Sequence, residues 1–381
     1  MKTTVKRITA LLLALAMQLA LLGFGCPSAL AEGAPELPGL TFEAETELEY
    51  AQCFRLYRYE GGYTLITIEN GGDFLVVPED GQVPGGLDDG ITVLRQPLDR
   101  IYLAATSAMS LFDAVDALDH IRRTGTRASG WYVDAAVEAL NSGAMLFSGK
   151  YSEPDYELMI GEDCDLAIES TMIYHTPKVK EMIEDLGIPV LVDRSSYEPH
   201  PLGRTEWIKL YAVLVDKEDE AAAFFDQQAS VIRELENFEN TGKTVAFFAV
   251  NSDGSVVIRK PSDYIPKMIA LAGGRYAFED FVTDQAATSI SITMEDFYAK
   301  AVDADVLIYN ASIAAPISTV DELLALNELF ADFKGVQEGN VWCTGKSFYQ
   351  ATDIVGQMIR DIHLALTDGD ESQMTFLTRV V

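Results

Sequence analysis

The chain is poor in positive charge: 28 Lys and Arg stand against 59 Asp and Glu in 381 residues, a formal net charge of −31. So acidic a balance repels phosphate backbones and anionic head groups, which excludes nucleic acid as a partner. Histidine is scarce, at four residues (His120, His175, His200 and His363), and no His-x-x-x-His pair occurs. Cysteine is as scarce, and there is no Cys-x-x-Cys, so no structural zinc site is legible. Gly-x-Ser-x-Gly and His-Glu-x-x-His are both missing, which removes the nucleophile elbow and the zinc-protease helix. Thr241-Gly242-Lys243-Thr244 and Gly345-Lys346-Ser347 lack the leading glycine of a phosphate loop at the required spacing and read as turns. Internal repeats and Ser/Thr-rich stalks are absent too, which counts against an adhesion or scaffold module. A secreted hydrolase built on paired carboxylates and a surface scaffold remain open on these grounds.

What the chain does have begins with one long apolar run. Lys2, Lys6 and Arg7 precede Ile8–Gly25, which is apolar apart from Thr9 and Gln18, the layout of a secretory signal over residues 1–31. Two processing sites overlap. Leu22-Gly23-Phe24-Gly25-Cys26 reads as a lipobox, with Cys26 the lipidated residue, and Ala29-Leu30-Ala31 reads as an ordinary cleavage site. Either route exports the protein to the cell envelope, at the outer face of the cytoplasmic membrane, held by lipid or soluble. Loss of the three signal cations takes the net charge from −31 to −34. Cys53, Cys164 and Cys343 then remain, packed as small hydrophobes or with one disulfide.

The roughly 350 residues that follow suit two lobes of ordinary domain size. Residues 33–98 carry short β-like runs, Phe54–Tyr59, Tyr63–Ile68 and Phe74–Val77, between glycine pairs, a β-rich extension. From 99 to 203 strand and helix alternate, with strands at Ile101–Ala105, Ala144–Phe147, Leu166–Glu169 and Pro189–Val192, the rhythm of a parallel sheet. Residues 204–240 lose all strand signals and repeat apolar side chains three and four apart, predicting a long helical stretch between the lobes. A second strand-and-helix half occupies 241–366, and residues 367–381 read as a frayed tail.

Gly149-Lys150-Tyr151, Pro154-Asp155-Tyr156-Glu157, Cys164-Asp165-Leu166-Ala167-Ile168 and Leu186-Gly187-Ile188-Pro189-Val190 resemble, in order and spacing, stretches of the Fe/B12-type periplasmic-binding family. His200–Lys209 is similar to the start of that family's inter-lobe helical region, and Ala272-Gly273-Gly274, Ser291–Phe297 and Asp303–Ile308 fit its second lobe. The similarity spans residues 97 to 366. It implies an α/β fold of two Rossmann-like lobes joined by a long inter-lobe helix, the class III architecture, with the β-rich extension added in front. It also implies a monomeric solute-binding protein of an ABC importer, not an enzyme. Such a protein has no cofactor of its own, captures an iron chelate, haem or corrinoid, and delivers it to a permease with its ATPase.

Ligand contacts are expected on loops at strand ends that face the inter-lobe crevice. These are Ser107 and Met109, Tyr174 and His175, Arg194, Ser195 and Tyr197 in the first lobe, and Lys346, Ser347 and Tyr349 in the second. Aromatic faces suit a macrocycle and arginine suits carboxylates, while Tyr174 and His175 carry the alternative of an axial metal ligand. The resemblance further implies one surface glutamate per lobe for permease docking. Glu295 matches in the second lobe. The first-lobe position falls near Pro177, where Glu181 or Glu169 is the substitute.

Overall fold

The computed structural model describes residues 33–235, 238–283 and 288–381; the signal segment and Cys26 lie outside the described residues. Five strands form the extension: β1 (Phe42–Glu45), β2 (Phe54–Tyr59), β3 (Tyr63–Ile68), β4 (Gly72–Val77) and β5 (Ile91–Arg95), in sequential order. Gly61 and Gly62 turn the chain from β2 into β3 at φ 84° and 82°, a left-handed backbone that a Cβ disfavours. Alternation along the strands divides their side chains between two faces. Phe54, Leu56, Ile66, Ile68, Phe74 and Val76 face the main core, whereas Tyr57, Tyr59, Leu65, Leu75 and Val77 pack beneath the Leu37 segment.

In the first lobe follow β6 (Ile101–Leu103), β7 (Arg123–Thr124), β8 (Leu146–Phe147), the hairpin β9 (Gly149–Lys150) and β10 (Glu153–Pro154), then β11 (Leu166–Ser170) and β12 (Val190–Asp193). The sheet order is β12-β11-β6-β7-β8, with every pairing parallel. Both its faces are covered, by the main core and by a smaller cluster around Met159, Ile173 and Ile183.

The stretch between the lobes is helical, as its periodicity predicts, and is divided into Pro201–Glu206, Ile208–Val215 and Glu218–Leu235. Asp216, left-handed at φ 55°, ends the middle helix, so the connection bends where one unbroken helix was expected. Ile208–Val215 is buried on nearly all sides, because the extension covers the face that the lobes leave open. Phe54 meets Trp207 at 5.1 Å between ring centroids, and Phe112 meets Tyr211 at 5.0 Å.

Two buried carboxylates tie the extension down. Glu206 accepts the backbone N–H groups of Glu49, Tyr50 and Ala51 at 2.9, 2.8 and 2.8 Å, and pairs with Lys209 Nζ at 2.7 Å. Glu198 accepts from Gln52 N at 2.8 Å, Cys53 N at 3.0 Å and Trp207 Nε1 at 3.0 Å. Beside them His200 accepts from Leu202 N and stacks on Tyr50 at 4.4 Å. Burial, then the Lys267 charge, lower its pKa to about 4, which keeps the accepting nitrogen unprotonated.

The second lobe contains β13 (Thr244–Val250), β14 (Val256–Arg259), β15 (Arg275–Tyr276), β16 (Ser289–Ile292), β17 (Val306–Tyr309), β18 (Val341–Thr344) and β19 (Leu377–Arg379). Their order is β16-β14-β13-β17-β18-β19, with β15 added beside β13. The expected frayed tail is instead structure: β19 pairs antiparallel with β18, and Asp361 Oδ2 accepts from the N–H groups of Thr375, Phe376 and Leu377. Apolar Phe376, Leu377 and Val380 are buried, which offsets the entropy of ordering the segment. Cys53, Cys164 and Cys343 are free and buried.

Replacing Glu206 by Ala strands three amides and the Lys209 charge. The variant should lose about 3–5 kcal/mol in urea unfolding, as expected when one partner of a buried charged network is removed.

Candidate ligand cleft

The two lobes meet at Gln350, just beyond β18. Its Oε1 accepts from Tyr132 N at 2.8 Å and its Nε2 donates to Gly130 O at 2.8 Å, both on the loop after β7. Thr205 Oγ1 donates to Thr352 O at 2.8 Å nearby. A small cavity of about 100 Å³ separates Ser196, Tyr197 and Glu198 of the first lobe from Lys260, Ser262, Asp263 and Thr288 of the second. The loops at the C-terminal ends of the strands therefore flank the junction, where open parallel sheets leave a crevice.

Ser107 donates from Oγ to Asp193 Oδ2 at 2.6 Å, and Asp193 Oδ1 accepts from Ser195 N at 2.6 Å. That buried carboxylate joins the loops after β6 and β12. Ser195 is buried with its Oγ unpartnered. Arg194 lies over the Tyr197 ring at 4.7 Å, and its Nε is also buried without a partner. Met109 opens the helix Met109–Ala114 and is wholly inside the core, so it has no surface to offer a ligand. Tyr174 and His175 are exposed on the turn Thr171–His175 after β11. In the second lobe Lys346, Ser347 and Tyr349 share the turn after β18; Lys346 Nζ donates to Ala314 O at 2.7 Å, and Asn310 Nδ2 donates to Tyr349 Oη at 2.7 Å.

Glu295 is exposed in the first turn of the helix Met294–Ala301, which Thr293 caps. Glu181 is exposed on Pro177–Asp185. Glu169 is different: it is 0% exposed, neither oxygen has a hydrogen-bond partner, and burial raises its pKa to about 8. A glutamate so enclosed cannot serve as a surface docking group.

Cationic side chains that the sequence reading passed over also gather here. Arg204, only 4% exposed, stacks on the Tyr264 ring at 4.1 Å; its Nε has no partner, and no carboxylate among the described residues lies within ion-pairing distance. Arg259 makes a two-pronged contact with Asp263, at 3.1 and 2.5 Å, and lies 5.8 Å from the rings of both Tyr264 and Tyr349. Burial opposes the Arg259 charge, but Asp263, Tyr349 and Tyr264 outweigh it and hold its pKa above the usual arginine value. At the far end of the first-lobe sheet a groove of about 540 Å³ is lined by Thr126, Arg127, Phe147 and Lys150, with Arg127 over Phe147 at 4.0 Å. Exposed Tyr132, Met172, Tyr174, Tyr197 and Ile313 add an apolar rim on four of these loops. An arrangement of this kind can bind anionic oxygens at its base and an aromatic or apolar body at its mouth.

Residues 108–347 match the family of periplasmic binding proteins, and the chain belongs to that family. Among curated proteins it is similar to the uncharacterized lipoprotein MJ0878 of Methanocaldococcus jannaschii, 25% identical over 334 residues, covering 80% of this chain and 77% of that one. Its fold is similar to the periplasmic heme-binding protein HutB of Vibrio cholerae, with TM-score 0.57, 15% identity, and coverage of 70% of this chain and 98% of that one. The petrobactin-binding protein YclQ of Bacillus subtilis gives TM-score 0.56, 14% identity, and coverage of 78% and 95%. The two-lobed class III architecture is thereby shown. Among the described residues no helix is long and apolar enough to cross a membrane.

Glu169 titrates with a signature. Its folded pKa of about 8 exceeds the ordinary 4.5, so its contribution to stability is complete below pH 4.5 and is lost as pH rises to 8. Thermal melts of Glu169→Gln and wild type should differ least near pH 4.5, and the variant should gain steadily up to pH 8, by at most about 1.4 kcal/mol per pH unit. A difference that does not change with pH would show that Glu169 is not held neutral.

Proposed function

We propose that this chain is the capture subunit of an ABC importer, closing its lobes on an anion-bearing metal chelate and handing it to a membrane permease driven by its ATPase. The observation that carries this reading is Arg204. A guanidinium buried at the lobe junction without a carboxylate costs several kcal/mol unless something else supplies negative charge. A ligand with carboxylate or catecholate oxygens supplies it, and Arg259, which faces the same Tyr264 ring, stands close by to share it. Iron chelates and haem carry such groups on a broad, largely apolar body, which suits the rim of Tyr132, Tyr174 and Tyr197. Corrinoids fit the rim and draw less on the arginines.

In this reading the protein is a monomer without a cofactor of its own and without catalytic activity. Glu295 and Glu181 are the exposed acids that dock on permease arginines, and Cys26 anchors the chain by lipid to the outer face of the cytoplasmic membrane. The family membership, and the lipoprotein name of its archaeal relative, support export and transport.

Fluorescence titration of the mature protein with ferric 2,3-dihydroxybenzoate, haem and cyanocobalamin tests the reading. At least one of the two anionic probes should bind at micromolar level, and Arg204→Gln should weaken it about 30-fold, equivalent to about 2 kcal/mol. Equal affinity in wild type and variant, or binding of cyanocobalamin alone, would overturn the assignment of an anionic ligand.

A further inference from the structure

The matched family region begins at residue 108, so the sheet formed by β1 to β5 lies in front of it. That sheet nevertheless touches the first-lobe loops that flank the cleft, at two separate places. Glu198 directly follows Tyr197 and ends the turn that begins at Arg194. Its carboxylate is gripped by the amides of Gln52 and Cys53 in the extension and by Trp207 Nε1 in the inter-lobe segment. The approach is close: a Cβ at Gly203 would lie 3.1 Å from both Glu198 Oε2 and Tyr50 O, so this position takes glycine. Burial raises the Cys53 thiol to about 12 together with Glu198 and Glu69, while Arg194 draws it back, which puts the Arg194 charge beside the extension as well. The second place is the turn between β3 and β4, where Asn70 O accepts from Tyr174 Oη at 3.3 Å.

We infer that the N-terminal sheet is a specificity element of the cleft, with Glu198 as the positioning residue through which it fixes the loop carrying Arg194 and Tyr197. The turn at Asn70 does the same, more weakly, for the loop carrying Tyr174. The inference rests on the cleft reading of the proposed function. Its physical basis is preorganisation. The Arg194–Tyr197 turn has two backbone hydrogen bonds, Tyr197 N to Arg194 O and Glu198 N to Ser195 O, and its first half is held by Asp193 Oδ1, which accepts from Ser195 N at 2.6 Å. A guanidinium already seated over its tyrosine loses less freedom on meeting a ligand than one on an unanchored loop. At the other end of the turn the anchor is Glu198, and it is the one that ties the turn to the N-terminal sheet. Its burial raises the carboxyl pKa, and the bonds from Trp207, Gln52 and Cys53 oppose that rise, so the acceptor set is matched to three donors.

The test is amide hydrogen exchange on the ligand-free mature protein, followed by titration with ferric 2,3-dihydroxybenzoate and haem. Glu198→Gln keeps the volume but turns an amide NH₂ toward one of the three donors. We expect at least tenfold faster exchange at residues 194–198 and 52–53, with the amides of β6, β11 and Ile208–Val215 unchanged, and at least fivefold weaker binding of whichever probe the wild type takes. Tyr174→Phe, a surface change that folding tolerates, should speed exchange at 171–175 alone. Unchanged exchange at 194–198 overturns the proposal. So does a rise spread evenly over the first lobe, which marks Glu198 as general structural support, and so does local loosening without loss of affinity. If wild type binds neither probe, the ligand assignment fails, and the exchange data still decide whether the sheet positions these loops.

Discussion

Glu206 and Glu198 hold this molecule together at its least regular point. Both are buried, both stand at the start of the connection between the lobes, and between them they accept five consecutive main-chain amides, from Glu49 to Cys53. A run of unpaired N–H groups beside the core would cost more than the fold could bear. Two carboxylates left there without donors would cost as much. Satisfying each other, they clamp the extension to the inter-lobe helices. The near-complete burial of Ile208–Val215 follows from that clamp, because the sheet supplies the third wall. So does the placing of Tyr197, whose neighbour in the chain is one of the two carboxylates.

The second constraint is electrostatic. A chain with net charge −31 brings two arginines, Arg204 and Arg259, to one tyrosine ring, that of Tyr264, at the lobe junction. Acidic surface elsewhere keeps anionic polymers away, while low-dielectric walls around the arginines strengthen their pull on a small anion that enters. Tyr264 gives Arg204 a face rather than a counter-charge, so Arg204 is held in position without being neutralised, whereas Arg259 beside it is paired with Asp263.

Much of the fold was legible because its signals are local. Phe54–Tyr59 and Tyr63–Ile68 have the bounds that alternation and glycine punctuation predict, and strand and helix alternate through 241–366 as expected. What was not legible depends on distant partners. β19 looks like a tail until Asp361 is seen to gather its amides, and the bend at Asp216 lies within a stretch whose composition is helical throughout. The site divides in the same way. Expecting ligand residues after strands picks out Ser107, Arg194 and Tyr197, which do lie on or against the loops after β6 and β12, and also Met109, whose side chain the helix turns inward. Arg204 and Arg259 escaped because nothing in the neighbouring sequence marks a lone arginine in a helix or a hairpin; their meaning comes from a tyrosine 60 positions away in one case and five in the other.

The most direct test of the account is an anomalous difference map at the iron edge, from crystals of the mature protein grown with ferric 2,3-dihydroxybenzoate or haem. The account predicts a single iron peak in the crevice between the two lobes, with chelate oxygens in hydrogen-bond contact with the Arg204 guanidinium. An iron site on the outer surface of either lobe, or a chelate in the crevice whose oxygens leave Arg204 untouched, would contradict it.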